Sequence, residues 1–192
     1  MPDVHTDDAP LAASKQGDAA AIARDNIPQA QGNSFASWAV TINRPRQELY
    51  GYWRDFANLA SFMENVERIE VRDTSRSHWV VKAPAGRTVE WDALVTDERD
   101  GEMIAWTSDE GADVPNSGRV EFRDAGERGT VVTATILYDP PGGIIGKVVA
   151  KMFQREPNIQ VRRDLRRLKQ LMETGEIATA AKTRAQFEKD GG

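Results

Sequence analysis

Between Glu67 and Tyr138, six strand-like runs follow one another with almost no chain between them. They fall at approximately 67–73, 77–83, 87–97, 102–108, 117–124 and 130–138. Most connections are short and rich in turn residues: "DTSR", "PAG", "ERDG" and "DAGERG". One is longer, "DEGADVPN" at 109–116. A parallel crossover needs roughly a dozen residues or more, so these runs can only form an antiparallel meander. The hairpin through Pro84, Ala85 and Gly86 sets one register. A three-residue loop favours glycine at its last position, where positive φ is needed. Ala83 then pairs with Arg87, Val81 with Val89, Trp79 with Trp91, and His78 with Asp92 on the opposite face.

Before the meander, Trp38, Val40 and Ile42 alternate with Ala39, Thr41 and Asn43, the pattern of a half-buried strand. Pro45 ends that strand and suits the first turn of a helix. Leu49, Tyr50, Trp53 and Phe56 follow at helical spacing. Asn58 is placed to cap a second short helix holding Leu59, Phe62 and Met63. After "DPPGG" at 139–143, which reads as a hinge, a long helical pattern runs to about Glu173. Val161, Leu165, Leu168 and Met172 form its apolar stripe, and Glu156-Pro157 interrupts it. The predicted class is α+β: a curved seven-stranded antiparallel sheet wrapped around one long C-terminal helix, with two short helices after the first strand. Such a sheet leaves a space that the helix does not fill. Residues 1–35 and 175–192 carry too few large apolar side chains to order themselves and are expected to be tails, leaving a domain at 36–174.

The 192-residue chain has no cysteine and two histidines, which excludes disulfides, thiol nucleophiles and thiolate metal sites. No metal and no cofactor is expected. A net charge of -5 does not favour nucleic acid. No signal-peptide pattern and no run of 18 apolar residues is present, so a cytoplasmic protein is expected. There is no G-x-G-x-x-G, Walker lysine or G-x-S-x-G.

The order of elements and the stretches "VTINRPRQELYGYWRDFANLASFMENV", "SHWVVKAPAGRTVEWDALVTDERDGEMIAWTS" and "YDPPGG" resemble the polyketide cyclase/dehydrase-like branch of the START-domain (SRPBCC) superfamily. The resemblance spans roughly residues 36–174. It implies a helix-grip fold with a deep apolar cavity between helix and sheet. Members mostly bind hydrophobic ligands such as lipids, sterols, quinones and polyketides; some are enzymes and some act on protein partners.

With that fold, the candidate cavity lining is Trp53, Phe56, Phe62, Met63, Trp79, Trp91, Trp106, Phe122, Val149, Met152 and Phe153. Any one of these rings, taken alone, is better explained as core packing; it is the fold that turns the group toward a ligand. His78, Glu90 and Asp92 are the natural acid/base candidates, but strand phase turns all three outward. The inward phase of the strands offers hydroxyls and amides, and Tyr50, Tyr52 and Tyr138 could donate hydrogen bonds. A carrier of a hydrophobic small molecule is therefore favoured over a cyclase or dehydratase. The 109–116 loop, the short helices and the start of the long helix are expected around the cavity mouth. Residues 147–172 carry eight basic and two acidic residues, against twelve and nineteen in 37–146. Lys147, Lys151, Arg162, Arg163 and Arg166 could thus meet an anionic membrane surface or an acidic protein partner. Either a monomer or a dimer is compatible with the sequence.

Overall fold

The computed structural model describes residue 21 and residues 24–83, 86–139 and 157–177. Seven strands form one sheet: β1 (Ser34–Ile42), β2 (Val66–Val71), β3 (Arg76–Ala83), β4 (Arg87–Arg99), β5 (Met103–Ser108), β6 (Asn116–Asp124) and β7 (Thr130–Tyr138). Their spatial order is β1-β7-β6-β5-β4-β3-β2, and every neighbouring pair is antiparallel. The meander runs in chain order from β2 to β7. β1 closes on β7, pairing Ser34 with Tyr138 and Ile42 with Thr130. Helix α1 (Arg46–Arg54) and a 3₁₀ turn (Phe56–Ser61) follow β1, and helix α2 (Pro157–Thr174) packs mainly on β1.

The hairpin register is the expected one. Trp79 lies opposite Trp91, Val81 opposite Val89, and His78 opposite Asp92. Gly86 has φ +70°, the left-handed conformation the turn requires; Pro84 and Ala85 lie outside the described residues. The α2 stripe is also as expected: Val161, Leu165 and Leu168 are buried, and Met172 packs beside them. Its C-terminal end is tied to the end of β1. Lys169 Nζ donates to the Thr41 carbonyl (2.6 Å), Arg44 Nε donates to the Met172 carbonyl (2.7 Å), and Glu173 accepts from the Asn43 N–H (2.7 Å).

Three features differ from the expectation. Asn58 does not cap a helix. It sits inside the 3₁₀ turn and its Nδ2 donates to the Tyr52 carbonyl (3.1 Å), so it closes α1 from below. Residues 24–33, within the stretch expected to be a tail, lie on the outer face of the sheet. Ile27 is buried against Leu137, and the Gln31 N–H donates to Ser117 Oγ (2.9 Å). One isoleucine and a few backbone hydrogen bonds seat this segment, a contribution invisible to its average composition. Finally, β4 carries a bulge between Val95 and Asp97. The extra residue reverses the strand phase, so Glu98 rather than Asp97 faces inward, opposite the buried Ile104. Glu98 there accepts hydrogen bonds from the Tyr50 hydroxyl and from Arg54 Nε (2.6 Å), fastening α1 to the sheet. Burial pushes the Glu98 carboxyl up, but Tyr50 and Arg54 outweigh it and hold the group below the usual range.

Candidate functional site

The inner face of the sheet is not filled to the same depth along its length. At the α1 end, Tyr50, Trp53, Phe62 and Phe122 close into an aromatic core. Trp53 lies 5.6 Å from Phe62 and 6.2 Å from Phe122, the latter edge to face. At the other end, among β3, β4, β5, β7 and α2, a cavity of about 170 Å³ remains.

Each wall follows from a local rule. Alternation on β3 and β4 turns Ser77, Trp79, Trp91, Ala93 and Val95 to the cavity. Trp79 and Trp91 are a directly opposed cross-strand pair, and their rings stack. The Trp79 indole N–H donates to Ser77 Oγ (2.9 Å), which fixes the plane of that ring. Trp106 on β5 lies opposite Gly118 on β6. A Cβ on Gly118 would sit 2.2 Å from the Trp106 ring, so only glycine lets the indole lie flat on the sheet there. Ala134, Ile136 and Tyr138 form the β7 wall, and Val161, Asp164 and Leu165 that of α2. Trp53, Phe56, Leu59 and Met63 close the end under the short helical segments.

The 109–116 loop forms part of the rim through Val114 and Asn116. It is anchored to β4: Asp109 N–H donates to the Asp92 carbonyl (2.8 Å), and Asp113 Oδ2 accepts from the Glu90 N–H (2.9 Å). Asn116 Nδ2 turns back to the Val114 carbonyl (2.8 Å).

Of the candidate lining residues, Trp53, Phe56, Met63, Trp79, Trp91 and Trp106 are brought together around the cavity. Phe62 and Phe122 are instead packed in the aromatic core. Phe62 follows the 3₁₀ turn and tucks beneath Trp53, and Phe122 stands edge-on to Tyr50 at 5.8 Å. Val149, Met152 and Phe153, like Lys147 and Lys151, lie outside the described residues. His78 is on the outer face, its Nδ1 3.0 Å from Asp92 and its Nε2 3.5 Å from Glu90. Arg162 is not free on the helix surface; its guanidinium lies 5.0 Å over the Trp38 ring. Arg163 and Arg166 are exposed.

Strand phase alone missed one group. Asp164 projects from α2 into the cavity wall and is the single charged residue there among the described residues. Its Oδ1 accepts hydrogen bonds from Gln160 Nε2 (2.9 Å) and from the Glu64 backbone N–H (3.2 Å). Desolvation pushes its pKa up to about 6, against the two hydrogen bonds and Arg167, which pull it down. The signal was present in the sequence: Asp164 stands three residues after Val161 and four before Leu168, inside the apolar stripe. Burial also pushes the Tyr138 hydroxyl up, so that group stays neutral.

A curled antiparallel sheet gripping a C-terminal helix, with an apolar hollow between them, defines a helix-grip protein. The chain belongs to the polyketide cyclase/dehydrase and lipid transport family, whose model matches residues 36–173. It is similar to a 17.2 kDa protein of Streptomyces lincolnensis encoded between melC2 and rnhH, 30% identical over 136 residues, 70% of this chain and 87% of that one. It is also similar to the crystal structure of a Deinococcus radiodurans protein, 40% identical with a TM-score of 0.60, covering 74% of this chain and all of the other. The crystal structure of a Thermus thermophilus protein is 26% identical, with a TM-score of 0.57, 69% of this chain and 92% of that one covered. No helix among the described residues is long and apolar enough to cross a membrane.

Proposed function

We propose that the protein binds and carries a small, ring-bearing apolar molecule in this cavity without transforming it. The observation that carries the reading is the wall itself. Four of the chain's five tryptophans line one hollow, and three of them, Trp79, Trp91 and Trp106, are only partly buried. Rings left half-covered inside a fold are surface awaiting a partner. The volume, about 170 Å³, lies below the roughly 300–1,000 Å³ of pockets for drug-sized ligands. It suits one or two fused rings, such as a quinone head group, better than a long acyl chain or a four-ring polyketide. Burying about 250 Å² of ligand apolar surface would yield roughly 6 kcal/mol before association costs, which corresponds to weak, readily reversible binding, about tens of micromolar at the tightest.

The catalytic alternative has one supporting feature, the Asp164 carboxyl, which is an acid/base group in reach of a bound ligand. A second acid/base residue to hand a proton onward is missing from the described wall. The exposed Arg163 and Arg166 support a subsidiary contact with an anionic surface, by a helix whose other described cations, Arg162, Arg167 and Lys169, are occupied within the fold.

Isothermal titration with naphthalene tests the carrier reading. Saturable binding at about tens of micromolar or weaker, lost on Trp91→Glu, is the expected result. No binding, or binding indifferent to that substitution, would contradict it.

A further inference from the structure

Asp164 is an anomaly in an otherwise apolar stripe. A carboxyl here costs stability, because burial disfavours its charge. A merely structural role at this position, accepting from the Glu64 N–H, could be served by a neutral amide. Both of its hydrogen bonds fall on one oxygen, Oδ1. Among the described residues Oδ2 accepts none, and Asp164 makes no ion pair. Arg167, whose charge acts on Asp164, is committed through Nε to the Phe62 carbonyl (2.8 Å). The remaining polar groups of the wall are largely engaged with each other: Ser77 accepts from Trp79, and Asn116 donates to the Val114 carbonyl.

We propose that Asp164 selects the ligand: the cavity takes an aromatic molecule of one or two rings that carries a hydroxyl group, and that hydroxyl donates to the unspent oxygen of Asp164. The proposal rests on the carrier reading above and adds the polar half of the recognition. The chemistry favours a neutral donor. An anionic ligand would meet the carboxylate as a like charge, with Glu64 adding to the repulsion. A cationic ring would have to shed the hydration of a full charge in a wall of indoles and aliphatics. A hydroxyl avoids both penalties and gives a charge-assisted hydrogen bond. Among the described residues, the groups that act on Asp164 are Gln160 and Arg167 on α2 and Glu64 at the turn after the 3₁₀ segment, and the neutral Tyr138 shares the cavity wall with it. The carboxyl is ionised above about pH 6, so the selection is strongest at neutral and alkaline pH.

The test is isothermal titration of the full chain with naphthalene, 2-naphthol and 2-methoxynaphthalene. The wild type should bind 2-naphthol on the order of tenfold more tightly than the methyl ether at pH 7.5. Asp164→Leu should keep naphthalene binding and erase that preference. Asp164→Asn, which preserves an acceptor for Glu64, should keep part of the preference and make it independent of pH between about 5 and 8. Equal affinity for naphthol and ether, or a preference that survives in Asp164→Leu, overturns the proposal while leaving the carrier reading intact so long as naphthalene binds. A pH-dependent preference in Asp164→Asn also overturns it, whether or not Asp164→Leu folds. Failure of all three ligands to bind overturns both readings.

Discussion

The Trp79 and Trp91 rings stack across the β3–β4 ladder with centroids 6.2 Å apart and planes within 10° of parallel. This pair forms one flat wall of the cavity, and its alignment is set by the hairpin register and by the Trp79–Ser77 hydrogen bond. A charge placed at position 91 would have no partner in that wall. Trp91→Glu should therefore lose naphthalene binding by about 100-fold or more and lower stability by about 2–4 kcal/mol. Titration alongside urea denaturation separates the two effects, and unchanged affinity in the folded variant would show that the stacked pair is mere packing.

Gly118 sets the position of Trp106. Its missing Cβ is the space the indole occupies, with Cζ2, Cη2 and Cε2 all closer than 3.0 Å to the ideal Cβ position. Gly118→Ala should push the ring into the cavity, cost about 1–3 kcal/mol as an overpacking change, and weaken ligand binding about tenfold. Affinity that holds while stability falls would mean that the sheet shifts instead of the indole.

Asp164 makes a signed prediction about pH. Its pKa is raised in the fold from the ordinary 3.8 to about 6. The folded state thus holds its proton longer than the unfolded one, and stability falls as pH rises from about 4 to about 6, then levels off. Asp164→Asn removes that loss. It should be more stable than wild type by up to about 3 kcal/mol at pH 7.5 and by less than about 1 kcal/mol at pH 4. Urea midpoints at the two pH values measure the difference; a gain that does not shrink on acidification would place the carboxyl in a polar setting.

The 109–116 loop is held to β4 through both the backbone and the side chain of Asp113. Asp113→Ala removes the side-chain acceptor for the Glu90 N–H. Hydrogen exchange should then speed up at Glu90 and through the loop by about tenfold, with β6 and β7 unchanged. Uniform acceleration across the sheet would mean that the loop is a structural strap, with no independent opening.

The sheet was legible because its linkers are too short for any other connection, and the Pro84–Gly86 turn fixed one register from which the faces followed. His78, Glu90 and Asp92 were correctly turned outward by that register. The aromatic set was legible as a group but not ring by ring. Period-two alternation assigns Trp91 and Phe122 equally to the inner face, and only the position of α1 decides that Phe122 is covered by Tyr50 and Trp53 while Trp91 is not. The bulge before Asp97 was illegible, since no glycine or proline marks it, and with it the inward turn of Glu98. Asp164 is legible from the helical stripe, where it stands among Val161, Leu165 and Leu168, but the period-two phase of the strands carries no information about it.

The central claim is that four particular indoles share one ligand cavity, and the indole N–H resonances of the five tryptophans report on it directly. In a ¹⁵N-labelled sample titrated with naphthalene, the signals of Trp53, Trp79, Trp91 and Trp106 should shift together and saturate at one concentration. Trp38, under Arg162 and away from the cavity wall, should stay in place. Saturable movement of Trp38 alone, or no saturable movement among the four, would contradict the account.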